Sequence, residues 1–439
     1  MASPTALIDQ PSQPGHSLYQ ARLGAGQQAG YLALEGEAQT NTCIIGGGFA
    51  GLATAASLLE KGSRDLILLE AEGIGHGASG RNGGFVFGGF SLDAAQLLQQ
   101  LGRAPARELY ALTLQAVQKI RGRISQYGID CEPVYEGVIL ANWFRDPAPL
   151  LALQRFMADQ LDVHWEWMSG EQTRATLLSE RYHSALLERD AFHFNPLAYA
   201  TGLARRLSKD GARIFEHSRA EKVERLGGEW QVSCANGGSI RCRHLVVCCG
   251  GYYRGFFPAL ARATLPIATY AIATEPLGPR LQDVLRTRAA VYDTRFAFDY
   301  YRPLADTRLL WGGRISTVDR SPAAVARLLK ADLLKVYPQL AEVAVSHAWS
   351  GLMGYARHKM PQIGRLPSGA WYAMGFGGHG VAPTTVAGEV LADCIVQGAG
   401  IPAGFRHFGL PPTFGLAGKT AAQASYWWLQ ARDVLRAMR

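Results

Sequence analysis

The sequence predicts a mixed α/β and α+β protein, in which a Rossmann-type nucleotide-binding domain is interleaved with a second domain built on a mixed, largely antiparallel sheet. Three observations lead there. A short apolar strand, a glycine turn, a helix and a second strand ending on an acid follow one another between residues 42 and 70. Apolar strands ending in glycines return near 245–251 and 370–380, so the first domain is discontinuous. Aromatic, strand-like sequence fills much of the remainder, notably 268–311.

In order along the chain, residues 1–38 are polar, rich in Gly and Gln and without periodicity, which predicts an N-terminal arm packed on the body. Thr42-Cys43-Ile44-Ile45 reads as a buried strand, 46–51 as a turn, 52–61 as a helix closed by Gly62, and Leu66-Ile67-Leu68-Leu69 as a strand ending on Glu70. Over 105–127, Leu109, Leu112, Ala116, Ile120 and Ile124 mark an apolar stripe on a helix expected to leave the nucleotide domain. Asn195-Pro196 opens a helix to about 209, with Asn as cap and Pro at the first position. Strands at 222–226, 230–235 and 239–243 make a small antiparallel meander, followed by a separate buried strand at 245–247. Ser321-Pro322 opens a further helix, and 381–396 is a core helix after a glycine loop. The expected division is an arm over 1–38, a nucleotide domain over 39–95, 190–262 and 346–400, a substrate domain over 96–189 and 263–345, and a helical C-terminal segment over 401–439.

The composition excludes several classes. The 439 residues, 48% hydrophobic and 18% charged with 50 glycines, suit a globular protein of two associated domains able to enclose a large cofactor. The net charge of +8 is scattered, with no basic block of the kind that grips nucleic acid. No 18-residue apolar run and no leader pattern occur, so the expected location is the cytoplasm. The seven cysteines lack metal-ligand spacing and read as small buried hydrophobes; no metal is expected. The aromatic, basic end (Tyr426, Trp427, Trp428, Arg432, Arg436) fits a packed helix or a peripheral contact with a membrane or partner.

The chemistry centres on Gly46-Gly47-Gly48-Phe49-Ala50-Gly51. Gly46 permits the tight turn, Gly48 lets the backbone approach a pyrophosphate, and Gly51 permits close helix–strand packing, with Phe49 and Ala50 opening the helix whose amides face the phosphates. Glu70, followed by Ala71, would accept the ribose hydroxyls. This motif alone serves FAD or NAD equally. Arg81 and Asn82 lie in a glycine-flanked loop, where Arg can fork two hydrogen bonds to a flavin or substrate or simply sit at the surface. His379 lies between Gly378 and Gly380, before Val381, in a loop whose helix start would place positive potential against a reduced ring; as a lone His it is equally readable as structural. On the strand 298–302, period-two alternation groups Asp299 with Tyr301 and Tyr300 with Arg302; either pair can line a pocket or pack in the core.

The segment Gly75-His76-Gly77-Ala78-Ser79-Gly80-Arg81-Asn82-Gly83-Gly84, the strand end at Gly250-Gly251 and the loop Gly377-Gly378-His379-Gly380 together resemble the D-amino-acid-oxidase-like superfamily of glycine, sarcosine and gamma-glutamylputrescine oxidases. The resemblance spans nearly the whole chain and is strongest to the gamma-glutamylputrescine oxidoreductase branch, where Ala273-Thr274-Glu275-Pro276-Leu277 and Gly312-Gly313-Arg314 also have counterparts. It implies FAD, with Ser79, Gly83, Val223 and Gly250 added to the cofactor site. It implies a non-covalent link, because the His and Cys attachment positions of relatives correspond to Arg81 and the neighbourhood of Met353. The Lys by which sarcosine oxidases bind the substrate carboxylate corresponds to Ala382, which shifts expectation from a small amino acid toward an amine, such as a gamma-glutamylated polyamine, with Arg302 or Arg314 as another carboxylate site. The implied reaction is hydride transfer from the carbon of a neutral amine to flavin N5, then imine hydrolysis, with His379, Arg81, Tyr301 and Arg302 as substrate- or flavin-facing candidates. Reoxidation by O2 and by a quinone or electron carrier both stay open, as do oxidation of an N-methyl or cyclic amino acid and a non-catalytic flavin subunit.

Overall fold

A computed structural model of the chain describes residues 17–23, 30–253, 255–318 and 320–437. At its centre the strand Glu37–Ile45 pairs in parallel with Leu66–Leu69 on one side and Ser239–Val247 on the other, with Ile44 opposite Leu68 and Val246. The sheet continues to Arg213–Phe215 at one edge and, through Trp371–Met374, to the antiparallel Gln362–Arg365 at the other. Both faces are covered, which is why these strands read as unbroken apolar runs. Ile44, Leu68 and Val246 face a helical layer, while Cys43, Ile67 and Val247 face the meander.

That meander consists of Ala220–Leu226, Glu229–Cys234 and the first half of Ser239–Val247. The two segments expected at 239–243 and 245–247 are one strand, because Glu37–Ile45 pairs along its whole length and supports it where Glu229–Cys234 stops.

The helix Arg103–Tyr127 departs from expectation: it packs on the nucleotide domain instead of leaving it. Its stripe of Leu109, Ala116, Ile120 and Ile124 belongs to the same core as Leu52 and Ala55 of helix Phe49–Glu60 and Val386 and Leu391 of helix Val381–Gln397. Arg123, with a side chain 1% exposed, donates to Glu60 Oε1 (2.9 Å), Ser57 Oγ (3.0 Å) and Glu389 Oε1 (3.2 Å), tying the three helices together. Burial disfavours the Glu60 carboxylate, but Arg123, Lys119 and the Tyr127 hydroxyl outweigh it and bring Glu60 down to about 2.

The second sheet has the order Val345–Tyr355, Leu265–Thr274, Leu309–Ser316, Asp299–Pro303, Ala290–Asp293, Val138–Ala141, Ala185–Glu188, Glu166–Met168. Every pairing is antiparallel except Ala290–Asp293 with Val138–Ala141. Helix Pro322–Val336 covers one face through Val325, Leu329 and Leu333. The strand Val345–Tyr355, expected within the nucleotide segment 346–400, belongs to this sheet. Leu265–Thr274 offers it a ladder running from Tyr355 back to Val345, and the strand touches the other domain through single hydrogen bonds and the bridge from Tyr355 to Phe376.

Within the expected arm, residues 1–16 and 24–29 lie outside the described residues. Ser17 caps a short helix, Leu18–Arg22, and Tyr19 is buried with its hydroxyl donating to the carbonyl of Asn82 (3.0 Å).

Candidate active site

The two sheets enclose a cavity of about 1220 Å³, above the roughly 300–1,000 Å³ usual for ligand pockets. One end is the glycine turn. Gly46, Gly48, Phe49, Ala50, Glu70 and Ala71 line it. Gly46 has φ +115°, and a Cβ there would stand 2.6 Å from the carbonyl oxygen of Cys248. Gly51 does not line the cavity; a Cβ on it would lie 1.9 Å from the Gly46 carbonyl oxygen, so it serves the close seating of the helix on the turn. The helix has no capping side chain of its own, and Ser79 Oγ from the following loop accepts the Phe49 N–H at 2.8 Å. Glu70 accepts N–H groups from Gly47 (2.6 Å) and Glu72 (3.0 Å), one on each oxygen, which leaves lone pairs for further hydroxyl donors. Burial pushes its carboxyl upward against those hydrogen bonds.

Val223 is not at this end. It sits within the strand Ala220–Leu226 opposite Val232, and only the approach to that strand, Ser218, Arg219 and Ala220, reaches the cavity. Arg219 is ion-paired with Glu72 at 2.6 Å. Sequence reading missed it because it carries no local motif. Gly250, from the strand end, does line the cavity.

The middle of the cavity is bounded by two glycine-rich loops. Arg81 donates from Nε to the His76 carbonyl (2.8 Å) and from a terminal nitrogen to the Ser350 carbonyl (3.3 Å), clamping its loop to the second sheet. Asn82 donates to the carbonyls of Ala78 and Ser79 and accepts from Gly84 N–H. Both side chains therefore shape the loop, and with Ser79 and Gly83 they line the cavity. Opposite, Gly378, His379, Gly380 and Val381 line it at the start of helix Val381–Gln397, followed by Ala382. Ser91 Oγ accepts the His379 N–H (3.1 Å), and the imidazole lies 4.1 Å from the Phe87 ring. Burial lowers His379 to about 4, against weak support from the carbonyls of Phe87 and Gly88, so the ring is neutral in ordinary buffers.

The remaining end is aromatic. Phe87 stacks on Tyr292 (5.5 Å, 26°), and Phe298 and Tyr300 extend the wall. Two expected pocket residues are elsewhere. Tyr301 points into the second sheet's core, stacked on Trp311 at 4.5 Å with its hydroxyl meeting Tyr337. Arg302 is buried beneath the loop, donating to the carbonyls of Gly83 (2.6 Å) and Phe194 (2.8 Å) and to the Tyr19 hydroxyl (3.1 Å). Asp299 is likewise buried and ion-paired with Arg295, and Arg314 is held by Asp332. Of the alternating pairs, only Tyr300 reaches the cavity. Behind the aromatic wall, Glu188 is buried and accepts the Gly88 N–H; burial raises it to about 7.

A sequence profile described as "DAO: FAD dependent oxidoreductase" matches residues 41–394. The chain belongs to that family. FAD is accordingly its cofactor, and the glycine turn, Glu70 and the two loops are the residues that would hold it. The gamma-glutamylputrescine oxidoreductase of Escherichia coli (strain K12) is 33% identical over 358 residues, 81% of this chain and 83% of the relative. A probable oxidoreductase, OrdL, of Haemophilus influenzae is 30% identical over 373 residues, 81% of this chain and 83% of that one. Among solved structures, glycine oxidase from Geobacillus kaustophilus superposes with a TM-score of 0.70 at 19% identity, covering 85% of this chain and 98% of its own. L-amino acid deaminase from Proteus vulgaris gives 0.70 at 18%, covering 87% and 99%. Those two likenesses establish the shared fold. Among the described residues no helix is long and apolar enough to cross a membrane.

Proposed function

We propose that the chain oxidises a C–N bond of an amine bearing a distal polar group, a gamma-glutamylated polyamine or similar, to an imine that hydrolyses. The observation that carries this reading is the make-up of the cavity beyond the two loops. Its wall is aromatic (Phe87, Tyr292, Phe298, Tyr300), Ala382 follows the Gly-His-Gly loop, and the nearby arginines 295 and 314 are committed to carboxylates of the protein. The two arginines beside that wall are thus not free to hold the α-carboxylate of an amino acid, whereas an aromatic, desolvated wall favours the neutral amine whose lone pair the reaction needs. The similarity to gamma-glutamylputrescine oxidoreductase supports the same substrate class.

Bound FAD would supply the two-electron acceptor. The protein's part is orientation and field: the helix start at Val381 directs positive potential into the cavity, and neutral His379 caps the loop without adding charge. Non-covalent attachment is supported by Arg81 and Met353, neither able to bond a flavin, standing on the cavity wall. O2, a quinone or a carrier protein are the candidate acceptors, and a cytoplasmic location is part of the proposal.

The test is anaerobic mixing of the FAD-loaded protein with gamma-glutamylated diamines, simple amines, N-methyl and cyclic amino acids. Bleaching by the first group alone supports the proposal. Bleaching by N-methyl or cyclic amino acids would replace it, and bleaching by none would leave a flavin-binding subunit. Acid denaturation should release all the flavin.

A further inference from the structure

The C-terminal helix Gly415–Ala437 lies beyond the stretch matched by the family profile, yet it closes one side of the cavity. Backbone N–H groups of the second sheet and its turns seat it. Tyr426 Oη accepts the Ile315 N–H (3.2 Å), Gln423 Oε1 the Thr317 N–H (3.1 Å) and Asp433 Oδ2 the Phe296 N–H (2.7 Å). The spacing of Tyr426, Leu429 and Arg432 puts them on one helix face, and all three line the cavity.

The charges at this end are unequal in their commitments. Arg295 is bound by Asp293 and Asp299 and lies over the Trp143 ring, and Arg314 is bound by buried Asp332. Asp433 is occupied by the Phe296 amide. Arg432 has neither an ion-pair nor a hydrogen-bond partner among the described residues, and it is exposed to the cavity mouth. A guanidinium fork suits a carboxylate, and this one borders the same cavity as the aromatic wall.

We propose that Arg432 is a specificity residue, binding the carboxylate at the far end of an amine substrate whose reacting nitrogen lies in the aromatic chamber. This rests on the amine-oxidation reading and narrows it to amines with a remote anionic tail. Placement on a helix seated by hydrogen bonds to the backbone of the second sheet and its turns would hold the guanidinium in a fixed position on the cavity wall.

Two probes differing only at the tail test it: N-(4-aminobutyl)glutaramate, ending in a carboxylate, and N-(4-aminobutyl)glutaramide, ending in a primary amide. With the FAD-loaded protein, Arg432→Ala should raise KM for the carboxylate roughly tenfold to hundredfold. It should leave kcat and the amide's KM unchanged, and Arg432→Lys should recover much of the loss. The same probes are titrated without turnover, by flavin absorbance and thermal shift. Equal losses for both probes, no loss for either, or equal binding of the two by the unaltered protein would overturn the assignment. Preferential binding of the carboxylate without flavin reduction would sink amine oxidation and leave Arg432 standing; rapid oxidation of both probes alike would do the reverse.

Discussion

Glu188→Gln offers a perturbation whose size follows from the structure. Glu188 is 8% exposed and its carboxyl is raised from 4.5 to about 7 by burial, with Gly88 N–H its one hydrogen-bond donor among the described residues. A folded-state value above the unfolded one means that the group's stabilising contribution is complete below about 4.5 and is lost as pH rises through about 7. Linkage puts the loss at about 1 kcal/mol at pH 5.5 and about 3 kcal/mol at pH 8. Glutamine does not titrate and keeps an oxygen for Gly88. Relative to the unaltered protein, the variant should therefore gain about 2 kcal/mol between pH 5.5 and pH 8. Urea unfolding of both proteins at the two pH values measures this as a shift in midpoint at constant m. A stability difference that stays the same at both pH values would refute the idea that Glu188 titrates there as an isolated buried acid.

Other outcomes separate cofactor, fold and chemistry. Gly51→Ala places a Cβ against a backbone carbonyl at 1.9 Å and should abolish folding, whereas Gly48→Val meets first the Ser79 hydroxyl, 2.9 Å from the new Cβ. The latter should fold yet bind FAD at least roughly tenfold more weakly on reconstitution of apoprotein, because the pyrophosphate approach is blocked. Arg302→Ala strands the carbonyls of Gly83 and Phe194 and should cost about 3 kcal/mol or more in thermal or urea unfolding, with KM unchanged in the folded enzyme. A KM effect without a stability effect would return Arg302 to the substrate site. His379→Asn should leave both limbs of the kcat/KM pH profile in place between pH 6 and 9, since a group at about 4 does not titrate in that window.

The nucleotide half was legible because its signals are local. Strand, turn, helix and second strand are contiguous over 42–70, and the late loop announces itself by glycines before a helix. Long-range pairings were not legible in the same way. The apolar stripe of Arg103–Tyr127 established a helix but not the surface it covers, which Arg123 and its partners Glu60 and Glu389 settle. Val345–Tyr355 looked like part of the returning nucleotide domain, yet its ladder partner, Leu265–Thr274, lies far back in the chain.

The substrate end shows the same division. Period-two alternation sorted 299–302 into two faces, but it could not say that Tyr300 would meet the cavity while Arg302, on the same face, passed beneath the loop to Tyr19 and Phe194. The sequence by itself determined the glycine turn, the acid at Glu70 and the two glycine-rich loops, because each depends on residues close together in the chain; the Lys expected at Ala382 came only from the resemblance to sarcosine oxidases. Only the tertiary structure decided that Tyr301 and Arg302 are core, that Glu188 backs the aromatic wall and that the C-terminal helix faces the cavity. Burial and charge pairing depend on which distant segments meet, and no local pattern encodes that.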